Sequence, residues 1–276
     1  MNRKAAALPG YLGPQVHRLY EHTVLWLALG LLGVLSLAWS VLAVPLHYLL
    51  PRRWSRPLGR WVLTTGFRLY LGALALIGAC RLDLRALDDL RTQGALVIAP
   101  NHPSLLDALL IVSRLPGLAC IMKGDIVANP FLGAGARLAG YIRNDAPLAM
   151  VRQALAELKA GGQLLIFPEA TRTSRWPIGP LTGAAALIAR RAEVPVQTLL
   201  IEPDSAYLTK GWPLFRRPDL PIRFRIRLGR RFDPGQEAGD LTAALERYFR
   251  AELAHGPQPP LGETRPASAP GRPRHG

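Results

Sequence analysis

Between Thr23 and Leu46 the chain runs for 24 residues without a charged side chain, as TVLWLALGLLGVLSLAWSVLAVPL. About 20 apolar helical residues suffice to cross a hydrocarbon core. A bilayer is therefore part of the folding problem for this chain. Basic Arg3, Lys4 and Arg18 precede the run, as they would in a secretory signal. The run is longer than a signal h-region, however, and no small-x-small cleavage site leads into a polar mature start. A retained membrane helix is expected, with Trp26, Trp39 and Tyr48 as interfacial anchors. A second apolar stretch, Trp61 to Cys80, carries Arg68 near its middle. Charge inside hydrocarbon is costly, so this stretch should lie in the interface or pack on the first helix.

The two stretches are joined by PRRWSRPLGR, which sets Arg52, Arg53, Arg56 and Arg60 around Trp54. The whole chain is basic, with 34 Lys+Arg against 19 Asp+Glu, a net charge of +15 and a pI near 10.9. Such a balance calls for an anionic partner. The bulk of the basicity flanks a hydrophobic anchor, and no nucleic-acid-binding motif is present, which favours membrane lipids over nucleic acid. Each juxtamembrane Lys or Arg attracts an anionic surface by about 1 kcal/mol. Residues 1–80 are thus read as a membrane-anchoring region. If both stretches spanned, the Arg52–Arg60 cluster would lie outside, against the positive-inside bias. A single span, or a hairpin within one leaflet, is ranked above a double span.

Beyond about Arg81 the pattern changes. ALVIAP (95–100), LACIMK (118–123), QLLIFP (163–168) and VPVQTLLI (194–201) read as buried strands. Helical patterns cover 104–115, 146–162 and 182–192, and LTAALERYFRAEL closes the domain with one more helix. IRFRIRLG (222–229) alternates with period two, as a half-exposed edge strand should. Strands alternating with helices predict an α/β domain over 81–255 with a largely parallel sheet. The tail, 256–276, is rich in proline, basic and without apolar period, and is read as disordered. Cys80 and Cys120 sit in apolar runs as unpaired buried thiols.

Within that layout VIAPNHPSLLDALLIV (97–112) places a histidine and a carboxylate where packing has no use for them. Open α/β sheets bind ligands at the carboxyl ends of their strands, which is where His102 falls. With Pro103 at the first helical position, His102 lies near the N-cap and Asp107 in the second turn. If the imidazole folds back, Asp107 meets one ring nitrogen and the other is left to take a proton. LLIFPEATRT adds Glu169, Thr171, Arg172 and Thr173 after another strand end, and an arginine beside hydroxyls suits a phosphate. No residue reads as a good covalent nucleophile, and no metal-ligand spacing appears.

NHPSLLD and FPEATRT resemble the N-H-x4-D and F-P-E-G-T-R-S blocks of the 1-acylglycerol-3-phosphate (lysophospholipid) acyltransferase family. MKGDIVANPFLGAGARLAGYIRND (122–145) is similar to that family's middle block and EVPVQTLLI to its last, in the family's order. The resemblance implies a glycerol-phosphate acyltransferase-type α/β fold, with a mixed or parallel sheet flanked by helices and an N-terminal membrane helix or helical pair. It makes His102 the general base and Asp107 its orienter. Glu169 and Arg172 become acceptor-binding residues, with Thr171 beside them, and Lys123 a phosphate contact. Arg143 stands a few positions early for the second block's arginine. Ala170 replaces a glycine, Leu181 and Thr182 stand where a basic residue is common, and Thr198 replaces a proline. LTKGWPLFRRP (208–218) resembles members associated with bacterial aryl-polyene pathways.

The activity so implied is acyl transfer from acyl-CoA or acyl carrier protein to the hydroxyl of a lysophosphatidate or related glycerolipid, without a cofactor or a metal. The setting is a bacterial inner membrane, with the catalytic domain on the cytoplasmic side. Open alternatives are a non-catalytic lipid-binding adaptor, an aryl-polyene donor or non-phosphatidate acceptor, and an enzyme acting on another acylated carrier.

Overall fold

A computed structural model describes residues 13–129, 133–235 and 237–254, so the tail expected to be disordered lies outside the described residues. The chain opens with two long antiparallel helices, α1 (Pro14–Leu49) and α2 (Arg52–Leu76). There follow β1 (Cys80–Asp83), a 3-10 turn (Arg85–Leu90), β2 (Leu96–Pro100), α3 (Asp107–Val112) and β3 (Ala119–Met122). Next come α4 (Gly124–Ala128), α5 (Gly133–Leu138), β4 (Ile142–Arg143), α6 (Pro147–Lys159) and β5 (Gln163–Leu165). The chain continues through α7 (Ala184–Ala192), β6 (Val196–Pro203), β7 (Ile222–Phe232) and α8 (Ala238–Ala254).

The strands form one mixed sheet in the order β1-β7-β6-β2-β5-β3-β4. Every neighbouring pair is parallel except β6 and β7. Strand alternation divides the core: Leu96 and Ile98 of β2 face α1, α2 and α3, whereas Val97 and Ala99 face α6, α7 and α8. All five residues of β2 are buried, as a central strand covered on both faces requires.

Two sequence expectations need correction. The IRFRIRLG strand alternates in burial but is not an edge, because β1 pairs with it in register Cys80↔Ile222 through Asp83↔Arg225. Cys80 closes the apolar stretch in sequence, which hides a strand start inside what reads as membrane segment. The second correction concerns the arginine cluster. Arg60 is buried, donating to Glu157 at 2.5 and 2.9 Å and to the carbonyls of Ala139 and Gly117 at 3.0 and 2.8 Å. It clasps α2 to the α/β domain, and its guanidinium is turned into the protein. Gly59 allows that approach, since a Cβ there would come within 2.6 Å of the Ala139 nitrogen. Arg68 likewise turns to protein, donating to the Ser113 carbonyl at 3.2 Å.

Candidate active site

Five strands end on one side of the sheet, and the loops leaving β2 and β5 are bolted together there. Asn101 carries the sheet's hydrogen bonding past the end of β2. Its amide donates to the Ile201 carbonyl at 3.0 Å and its carbonyl accepts from the Ile201 N–H at 2.7 Å. Ser104 Oγ donates to the Tyr207 carbonyl at 3.1 Å, and Leu105 N–H to that of Leu208 at the same distance. The segment held in this way carries His102.

The His102 Nδ1 lies 2.8 Å from Asp107 Oδ2, which also accepts the Ser104 N–H at 2.8 Å. The imidazole folds back onto the carboxylate from outside the helix, but the helix starts later than expected. α3 begins only at Asp107 with Leu106 as its N-cap, and residues 101–103 are irregular, so His102 is not at the N-cap. Asp107 is fully buried, and burial pushes its carboxyl up from the ordinary range; the His102 ring, the Ser104 amide and Arg172 pull it back. Both of its hydrogen bonds fall on Oδ2, while Oδ1 is buried without a partner among the described residues. An ionised Asp107 keeps the proton on Nδ1 and leaves Nε2 as the basic nitrogen. The imidazole stacks on Phe167, centroids 3.9 Å apart at 24°.

Glu169, which the block resemblance makes an acceptor-binding residue, lies outside the cavity lining. Its Oε1 accepts from the His102 backbone N–H at 3.1 Å and from Thr173 Oγ at 2.7 Å, and its Oε2 from the Gly179 N–H at 2.8 Å. The side chain is buried, and burial pushes its pKa up against those three donors. The Thr173 N–H closes the bracket on the His102 carbonyl at 2.7 Å. Glu169 thus fixes the backbone that carries the histidine. Ala170, next to it, holds the left-handed conformation that glycine adopts without strain, with φ 53°.

His102, Lys123, Thr171 and Arg172 all line one cavity of about 790 Å³. Arg172 is steadied by donating through Nη1 to the carbonyls of Leu208 and Thr209 at 2.8 and 2.9 Å. Lys210, unmarked by any block, adds another cation to the same wall. Arg143 does not join them. It is exposed, outside the lining, and paired with Asp145 through Nε at 3.0 Å and through Nη2. Most of the rest of the lining is apolar, with Val24, Leu25 and Ala28 of α1, Phe67 and Leu71 of α2, and Phe224 of β7. Among the described residues no three His, Cys, Asp or Glu side chains gather as a metal site would need. Sequence reasoning gave no role to Asn101, Phe167 or Lys210 and weighed Ser104 only as a nucleophile; Asn101, a polar residue ending a buried strand, offered a signal.

A family model described as Acyltransferase matches residues 81–202. The 1-acyl-sn-glycerol-3-phosphate acyltransferase of Pseudomonas aeruginosa is 23% identical over 188 residues, 66% of this chain and 72% of that protein. The chloroplastic 1-acyl-sn-glycerol-3-phosphate acyltransferase BAT2 of Brassica napus is 28% identical over 120 residues, and the match spans only 35% of it. The crystal structure of the 1-acyl-sn-glycerophosphate (LPA) acyltransferase PlsC from Thermotoga maritima shares the fold. It superposes with a TM-score of 0.64 at 18% identity, covering 87% of this chain and 96% of that one.

Proposed function

We propose, from the match of residues 81–202 to the Acyltransferase family model, that this chain moves an acyl chain from a thioester to the hydroxyl of a lysophosphatidate-type glycerolipid. The observation that carries this reading is the meeting, in one cavity, of a histidine on a buried carboxylate with cations and a long apolar wall. The acceptor hydroxyl hydrogen-bonds to His102 Nε2 and gives up its proton as its oxygen attacks the thioester carbonyl. The C–S bond then breaks, and the thiolate takes the proton from the imidazolium. Asp107 holds the ring and stabilises its positive form. Arg172 and Lys123 suit the acceptor phosphate, and the apolar walls suit the chain. Glu169 acts through the backbone of His102 as a positioning residue. A non-catalytic adaptor has no use for a buried Asp107 spent on orienting an imidazole.

The donor is acyl-CoA or acyl carrier protein, both of which carry thioesters in the cytoplasm, so the catalytic domain faces that side of the inner membrane. The geometry favours a hairpin lying in one leaflet. α1 touches the catalytic layers at Glu21, through Arg217, and again at Ala43, which packs on Ala134 and Leu138. Those two positions are about 33 Å apart along a helix. A helix crossing the bilayer would drag one of these contacts out of water. Leu27, Val34 and Val41 meanwhile stay exposed on its other face.

The test is acyl transfer by the purified full chain, with a panel of acyl thioesters and lyso-lipids. His102→Ala should fold and bind membranes normally yet lose about 10²–10⁴-fold in rate. Wild-type turnover by that variant would end the enzymatic reading.

A further inference from the structure

The segment LTKGWPLFRR (208–217) does two things at once. Leu208, Lys210 and Leu214 line the cavity, while Leu214 and Phe215 stand 45% and 61% exposed. Phe215 is stacked on Trp26 of α1, centroids 5.2 Å apart at 19°. Trp26 is itself exposed, on the apolar helix whose outward face continues through Leu27 and Leu31. Two fastenings hold the segment in that position. Arg217 pairs with the buried Glu21 of α1, and Arg216 lies over the Trp212 ring at 4.6 Å. No acidic residue occurs from 208 to 217, and both Lys210 and Arg216 are exposed.

We propose that this segment is a second membrane-contact element, laying Leu214 and Phe215 on an anionic bilayer beside α1. Large apolar side chains on a loop, ringed by exposed cations and continuous with an apolar helix face, match an interfacial lipid surface in shape and charge. Because Leu214 also lines the cavity, the cavity rim meets the lipid there, and a glycerolipid acceptor can enter from the bilayer. The proposal rests on α1 being lipid-facing, and its test separates the two.

A polarity-sensitive fluorophore is attached to Phe215→Cys, Leu31→Cys or Arg191→Cys in the full chain, in turn; Cys80 and Cys120 are buried. Each labelled protein is mixed with vesicles of phosphatidylcholine and phosphatidylglycerol. Blue shifts at 215 and 31, with none at 191 on the far helical layer, are expected. A shift at 31 alone overturns the loop contact and leaves the hairpin reading standing. No shift at either position removes both, and a shift at 191 as well reveals unspecific adsorption and overturns the proposal. Unlabelled Phe215→Glu should bind these vesicles at least about tenfold more weakly, its turnover of detergent-dispersed substrate unchanged. Unaltered vesicle binding would likewise sink the proposal.

Discussion

Glu169 commits its carboxylate to the backbone that carries His102 and to its own loop. With both oxygens engaged by three donors, Glu169→Gln sets an amide N–H₂ against a donor at one end of the bracket. A buried donor left unpaired costs about 1–3 kcal/mol. The variant should lose kcat with little change in the acceptor's KM, whereas an acceptor-binding role predicts the reverse; steady-state kinetics against acceptor concentration decides. Burial also sets the behaviour of the thiols. It pushes Cys80 up to about 11 and Cys120 to about 12. The thiolate is the reactive form and is scarce below those values. A thiolate-selective reagent at pH 8 should therefore leave both unmodified in the folded protein and modify both once it is denatured. His102 and Asp107 were legible because a core has no packing use for either at a strand end. The direction Glu169 faces was not, since a carboxylate's orientation depends on donors as distant in sequence as Gly179.

Among the elements, the longer strands and helices of the α/β domain follow from apolar periodicity, within a few residues at their ends. Elements without a clear apolar run of their own escaped: α4, α5, β1 and β4 have at most six residues each, broken by glycine or by charged side chains. What pins α2 to the domain was illegible for another reason, because Gly59 and Arg60 look like any glycine and any flanking arginine. A matched pair of substitutions in α2 tests the packing. Gly59→Ala drives a methyl into the Ala139 backbone and should cost about 1–3 kcal/mol. Gly66→Ala meets nothing within 4 Å and should gain about 0.5–1 kcal/mol from helix propensity. Thermal melts that moved together would show that α2 does not pack as described.

Over the whole molecule, the sequence narrowed membrane topology to two arrangements, and the length of α1 alone does not choose between them. The hairpin reading makes its own prediction about the turn between the helices. Ser55 is buried and a poor reporter, whereas Trp54 is exposed. Trp54→Cys should resist a membrane-impermeant thiol reagent in intact cells and react after lysis. Modification in intact cells would place the turn outside and refute the in-plane hairpin. α1 shows one apolar face outward, through Leu27, Val34 and Val41, and another, through Val24, Leu25 and Ala28, to the cavity. Those two faces answer to different rules of change over evolutionary time. On the outer face any apolar side chain serves, so Leu27, Val34 and Val41 are free to drift among one another. On the inner face side-chain volume sets the shape offered to the substrate, so descendants that switch acyl chains should differ there first.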